Sequence, residues 1–196
     1  MSVMMRMRWD GVTPEQYDQA RETIGWERDL AKGGVLHVAW FMGDGLNVCD
    51  VWDSAEDFHA FVEQRLTPGV TELGIAGTPD VGIFPLYNCQ LEKSAPDGAV
   101  VEAGDFPVEV YQAMEAKVRW REVPPVGGVS HIAAIDGPPV HTVTVWESQD
   151  AHEAFGEQRV GPAAAELGMP APEEDPADLA PLHALFDAAG TLAVQG

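Results

Sequence analysis

Residues 35–42, VLHVAWFM, and 46–52, LNVCDVW, flank Gly43-Asp44-Gly45 and read as a β-hairpin. With a tight turn at Asp44-Gly45, paired residue numbers sum to about 89, which sets His37 opposite Trp52 and Ala39 opposite Asp50. His37, Phe41, Val48, Asp50 and Trp52 then share one face, and Leu36, Val38, Trp40, Asn47 and Cys49 share the other. A carboxylate beside an imidazole orients the ring and favours its charged form, while desolvation opposes that charge. The chemistry such a pair can do is general acid–base catalysis, with His37 as the base and Asp50 as its partner. Trp40, Asn47 and Trp52 are the residues expected to shape a pocket around them. A purely structural His–Asp pair is the plain alternative.

The elements that must position these residues occur twice. At an offset of 94 residues (131 − 37), Gly33-Gly34-Val35 falls on Gly127-Gly128-Val129, His37 on His131, and Val51-Trp52 on Val145-Trp146. Ser54, Ala60-Phe61 and Glu63-Gln64-Arg65 fall on Ser148, Ala154-Phe155 and Glu157-Gln158-Arg159. The match needs no gap from Glu15 to Gly74, so the chain is a duplicated domain. Two copies are too few for a solenoid. The expected division is a first repeat over 1–91, a linker over 92–98 and a second repeat over 99–196, with an acidic, Pro-rich insertion near 171–181. The copies differ at telling places: Trp40 becomes Ala134, Met42 becomes Asp136, Asn47 becomes His141, Asp50 becomes Thr144, and Phe58 becomes His152. These differences make the first half the better candidate for a working pocket.

Within one copy, Val3 to Trp9 reads as a strand. Thr13-Pro14-Glu15-Gln16 is a helix start, with Thr as N-cap, Pro at the first position and Gln at the third. That helix is expected to run towards Leu30 and end near Gly33-Gly34. After the hairpin, Ser54 caps a second helix whose apolar positions Phe58, Phe61, Val62 and Leu66 keep a helical period. VGIFPLYN closes the copy as a strand. The order βαββαβ is the ferredoxin-like arrangement, an α+β fold with helices on one face of an antiparallel sheet. Packing the two bare faces together would bury both, giving an intramolecular, pseudo-dimeric α+β barrel. VWDS followed by FHAFVEQRL, with a His-bearing strand before it, resembles the dimeric α+β barrel superfamily, and the duplication resembles a fused member of it. The resemblance covers both copies. It implies proteins of the antibiotic biosynthesis monooxygenase and polyketide cyclase type: small tailoring enzymes that remove a proton from a hydrophobic, aromatic substrate for cofactor-free oxygenation, cyclisation or isomerisation. A non-catalytic small-molecule binding or scaffold protein is the alternative, with haem binding, known in some relatives, a lesser one.

Other residues bound these readings. Arg65 and Arg159 lie at helix ends, where they meet the helix dipole or clamp an acidic ligand group. Arg65, His131 and Trp146 therefore join Trp40, Asn47 and Trp52 as candidate binding residues. Tyr17 and Tyr111 read as core. The six histidines show no HxxxH or HExxH spacing and the two cysteines no metal-binding pattern, so neither a metal nor another cofactor is expected. The net charge of −21 and the absence of a basic cluster argue against nucleic acid and anionic membrane partners. No apolar run reaches the length of a signal peptide or membrane span. A cytoplasmic monomer binding a small aromatic molecule is the expectation, with pairing into a homodimer left open.

Overall fold

The computed structural model describes residues 1–169 and 179–188. Its elements are β1 (Val3–Asp10), α1 (Pro14–Ile24), β2 (Gly34–Met42), β3 (Gly45–Trp52), α2 (Ala55–Phe61), a π-helical turn (Val62–Leu66), α3 (Thr67–Glu72) and β4 (Asp80–Leu91). The second series is β5 (Val100–Phe106), α4 (Val108–Val118), β6 (Gly128–Ile135), β7 (Val140–Trp146), α5 (Gln149–Phe155), a second π turn (Gly156–Val160), α6 (Gly161–Glu166) and β8 (Leu179–Asp187). This is the α+β class with two tandem ferredoxin-like βαββαβ repeats that the element order predicts.

The chain packs as two compact units. Among the described residues, one holds Met1–Leu86 together with 182–188, and the other holds 87–169 and 179–181. The strand order is β4-β1-β3-β2-β8 in the first unit and β8-β5-β7-β6-β4 in the second, so the division falls inside β4 and β8. Of the insertion expected at 171–181, residues 171–178 lie outside the described residues, and Leu179–Pro181 already pair with β5.

Thr13 forms the expected capping box with Gln16. The helix ends sooner than expected, at Ile24, because Gly25 turns left-handed at φ 65° and its N–H closes on the Arg21 carbonyl. The hairpin register also differs. Its turn is Gly43-Asp44, so His37 faces Asp50 and His131 faces Thr144, not the two tryptophans. A shift of two residues along a strand keeps every side chain on its face, so the predicted grouping survives.

The helix after each hairpin is interrupted identically. Pro68 and Pro162 fall early in α3 and α6, where a proline ring crowds the carbonyl four residues back and supplies no N–H. The preceding turn opens to π geometry, with the Thr67 N–H reaching back to the Val62 carbonyl and that of Gly161 to Gly156.

The α1/α3 crossing in the first unit depends on Gly69. A Cβ built there would stand 2.6 Å from Ile24 Cγ1. The second repeat has Ala163 and Val118 at the equivalent positions, a methyl added on one side and one removed on the other. Gly69→Ala is expected to destabilise the protein by about 1–3 kcal/mol through overpacking. Adding Ile24→Val should recover at least half of the loss, read as urea unfolding midpoints of the two single variants and the double variant.

Candidate functional site

The helix-covered face of the first sheet carries Met5, Met7 and Trp9 from β1, Leu46, Val48, Asp50 and Trp52 from β3, and His37 from β2. Together with Tyr17, Trp26, Phe58 and Phe61 from the covering segments, they line a cavity of about 100 Å³. Leu30 and Val35 line it too and are 43% and 37% exposed, so they mark its mouth.

One polar chain crosses this apolar wall. His37 Nδ1 lies 2.6 Å from Asp50 Oδ1, and His37 Nε2 lies 2.7 Å from the Tyr17 hydroxyl. A carboxylate only accepts hydrogen bonds, so Nδ1 carries the proton and donates, and Nε2 accepts from the Tyr17 O–H. The second Asp50 oxygen accepts from Trp52 Nε1–H at 3.4 Å. All three partners come from elements the sequence fixes locally: the Thr13-capped helix presents Tyr17, and the hairpin register presents His37 opposite Asp50. Burial pushes the Tyr17 hydroxyl pKa far above its ordinary value, so Tyr17 stays a neutral phenol. Beyond it, His183 on β8 packs edge-on at 5.0 Å and bonds Asp18 at 2.9 Å.

The second unit repeats the frame with different chemistry. Tyr111 bonds His131 Nε2 at 3.0 Å, but His131 Nδ1 meets the Thr144 hydroxyl at 2.9 Å, where the first unit has a carboxylate. The acid has moved to the neighbouring strand: Trp146 Nε1 donates to Glu102 on β5 at 3.4 Å, and Glu102 faces Thr144 as Met5 faces Asp50. Burial alone would raise the Glu102 pKa, but the His152 and Trp146 hydrogen bonds overcome it and hold the carboxyl below its usual value. Burial drives His131 down to about 4, against a smaller opposing pull from Glu102. His131 is thus a neutral imidazole under Trp120, whose ring stacks on it at 5.0 Å.

The candidate residues therefore separate. His37, Asp50 and Trp52 come together in the cavity, whereas His131 and Trp146 belong to the second unit's cluster. Trp40 and Asn47 face each other across β2 and β3 on the opposite face and line none of this cavity. Arg65 leaves the π turn to donate to the Ile24 carbonyl at 2.9 Å and the Asp29 carbonyl at 2.6 Å, so it caps α1, not its own helix. Arg159 does the same for the Val118 and Val123 carbonyls. Two residues passed over in the sequence matter most. Tyr17, read as core, is the second partner of His37, and its equivalent Tyr111, twenty residues before His131 as Tyr17 is before His37, was the available signal. Glu102 gave no signal, because its strand lies outside the ungapped repeat. Among the described residues no group of three His, Cys, Asp or Glu is placed to hold a metal, and no helix is long and apolar enough to cross a membrane.

No protein-family model and no curated relative matches the sequence. The fold, however, is shared along the whole chain with solved structures. A candidate monooxygenase of Lactobacillus acidophilus NCFM superposes with a TM-score of 0.71 at 12% identity, covering 99% of each chain. A second, from Fusobacterium nucleatum, gives 0.72 at 10% identity over 100% of this chain and 98% of its own. A protein described as anthrone oxidase-like gives 0.53 at 16% identity, over 100% and 97%. These likenesses show that the α+β fold is shared with those structures.

The neutral His131 makes stability pH-dependent. Its folded pKa of about 4 lies below the unfolded value near 6.5, so the unfolded chain binds the extra proton first as pH falls. The contribution is whole above pH 6.5 and is lost between there and pH 4, at most roughly 3 kcal/mol at about 1.4 kcal/mol per pH unit. Urea unfolding at pH 7.5 and 4.5 should show that loss in the wild type and a clearly smaller one in His131→Gln.

Proposed function

We propose that the protein removes a proton from an acidic hydroxyl group of a small hydrophobic, aromatic molecule held in the first-unit cavity. The observation that carries this reading is the Tyr17–His37–Asp50 chain on an otherwise apolar wall. A substrate hydroxyl reaching the Tyr17 oxygen passes its proton there while Tyr17 passes its own to His37 Nε2. Tyr17 is neutral before and after, which suits a phenol whose ionisation burial opposes. Asp50 then holds the imidazolium through Nδ1–H, and Trp52 fixes the other Asp50 oxygen. The electron-rich oxyanion that results is the species able to hand electrons to dioxygen without a cofactor, or to cyclise or isomerise. The fold-level likeness to an anthrone oxidase-like protein and to candidate monooxygenases supports the oxygen-using branch.

A second reading, a binding protein without turnover, draws on the Tyr111–His131 bond, which repeats the tyrosine–histidine contact where the carboxylate partner is absent. One assay separates the two. With 2-methyl-1,4-naphthohydroquinone as probe, hydroquinone plus O2 gives quinone plus H2O2, followed by oxygen uptake and quinone absorbance. The wild type should exceed the spontaneous rate. His37→Ala and Tyr17→Phe should lose about a hundredfold in the catalysed rate, consistent with one positioned acid–base group. Asp50→Asn should lose less, and His131→Ala should keep its activity. A wild type that binds the probe without accelerating the reaction, or a His37→Ala variant as fast as the wild type at unchanged Tm, leaves only the binding-protein reading.

A further inference from the structure

Four basic residues carried by α1, the segment that follows it and the first π turn are already engaged. Arg65 is spent on the Ile24 and Asp29 carbonyls, and Lys32 pairs with Asp57 at 2.9 Å. Arg21 pairs with Glu27, and Arg28 donates to the Glu22 carbonyl at 2.5 Å. Inside, no Lys or Arg lines the wall; the charged or titratable side chains there are Tyr17, His37 and Asp50. The Asp50 carboxylate is satisfied by His37 and Trp52 and is only 10% exposed. The chain around it carries a net charge of −21.

From this we infer that the cavity selects its ligand by charge and by size: it takes one uncharged, hydroxyl-bearing aromatic ring and rejects a ring that enters as an anion. The inference rests on the proton-transfer reading for the hydroxyl but not on turnover. A neutral hydroxyarene adds no net charge at any stage, because the proton it loses stays on His37 beside the oxyanion. A carboxylate ligand brings a second negative charge next to Asp50, with no free cation to meet it in a low-dielectric, apolar space. Size acts in the same direction. A dry cavity of about 150 Å³ holds one benzene. The present one, near 100 Å³, admits about one ring with slight displacement of its wall. Further rings of a larger ligand must extend past Leu30 and Val35, whose exposed apolar surface is suited to receive them. A cationic ligand is disfavoured despite the aromatic wall, since His37 and Trp52 already hold the one carboxylate that would pair with it.

Trp9, Trp26 and Trp52 line the cavity and report its occupancy by fluorescence. Titrations at pH 7.5 with p-cresol, benzoate and benzylammonium, three single rings of near-equal size, test the inference. The expected result is saturable quenching by p-cresol, with benzoate and benzylammonium each at least about tenfold weaker. Asp50→Asn, checked for an unchanged Tm, should narrow the gap between p-cresol and benzoate. Benzoate or benzylammonium binding as tightly as p-cresol overturns the selectivity, and so does absence of saturable p-cresol binding. Because these are binding measurements, they can fail while the hydroquinone assay succeeds, and the reverse.

Discussion

In each half of this protein one buried indole N–H, that of Trp52 or Trp146, meets a carboxylate, whereas those of Trp26 and Trp120 meet no acceptor. Trp52 and Trp146 close the second hairpin strand of their units at 4% and 1% exposure, and leaving either N–H unpaired would cost on the order of 1–3 kcal/mol. Asp50 serves Trp52 and Glu102 serves Trp146. A buried carboxylate in turn cannot stand on one neutral donor, so each acquires a histidine: His37 for Asp50, His152 for Glu102. The tryptophan that fixes each hairpin against its helix is thus joined to a buried acid, and the acid to a histidine. In the first unit that histidine, His37, also bonds Tyr17 in the cavity wall.

A second constraint holds the walls in place. Pro68 and Pro162 force a π turn before them, and from that wider turn Arg65 and Arg159 reach the open carbonyls at the ends of α1 and α4. Phe61 and Phe155 lie under the guanidinium groups, with centroids at 5.8 and 5.5 Å. Each arginine therefore ties three elements together: its own helix, the end of the first helix, and the loop that follows it. In the first unit that loop carries Leu30 to the cavity mouth. An arginine at this position that bound a ligand would release the loop that forms the mouth, which is why the backbone, not a substrate, holds Arg65.

Much of this was legible in the chain and some was not, for identifiable reasons. Side-chain alternation put His37, Asp50 and Trp52 on one face, and a register error of two residues could not undo that. Composition extends α1 past Ile24, because residues 26–30 are helix-compatible, while the left-handed turn at Gly25 decides the end. The opening strands escaped the internal comparison. Val3 and Val100 are equivalent by their pairing with Trp52 and Trp146, an offset of 97 (100 − 3), whereas helices and hairpins align at 94. Three residues missing before α4 hide that equivalence, and with it the fact that Met5 and Glu102 correspond. Tyr17 was visible but ambiguous, since a tyrosine on the buried face of a helix carries the same sequence signature whether its hydroxyl meets a histidine or nothing.

The transposed acid also explains how the halves came to differ without either losing its packing. Moving a carboxylate from β3 to the facing position on the neighbouring strand keeps it within reach of the same indole, so the tryptophan remains satisfied in both arrangements. What changes is the histidine on the hairpin's first strand. Beside Asp50, His37 has a carboxylate to accept its Nδ1–H. Beside Thr144, His131 has only a hydroxyl, and burial then fixes it as the neutral base-poor form. The strand that carries the carboxylate therefore decides which histidine it meets: His37 in the first unit and His152 in the second.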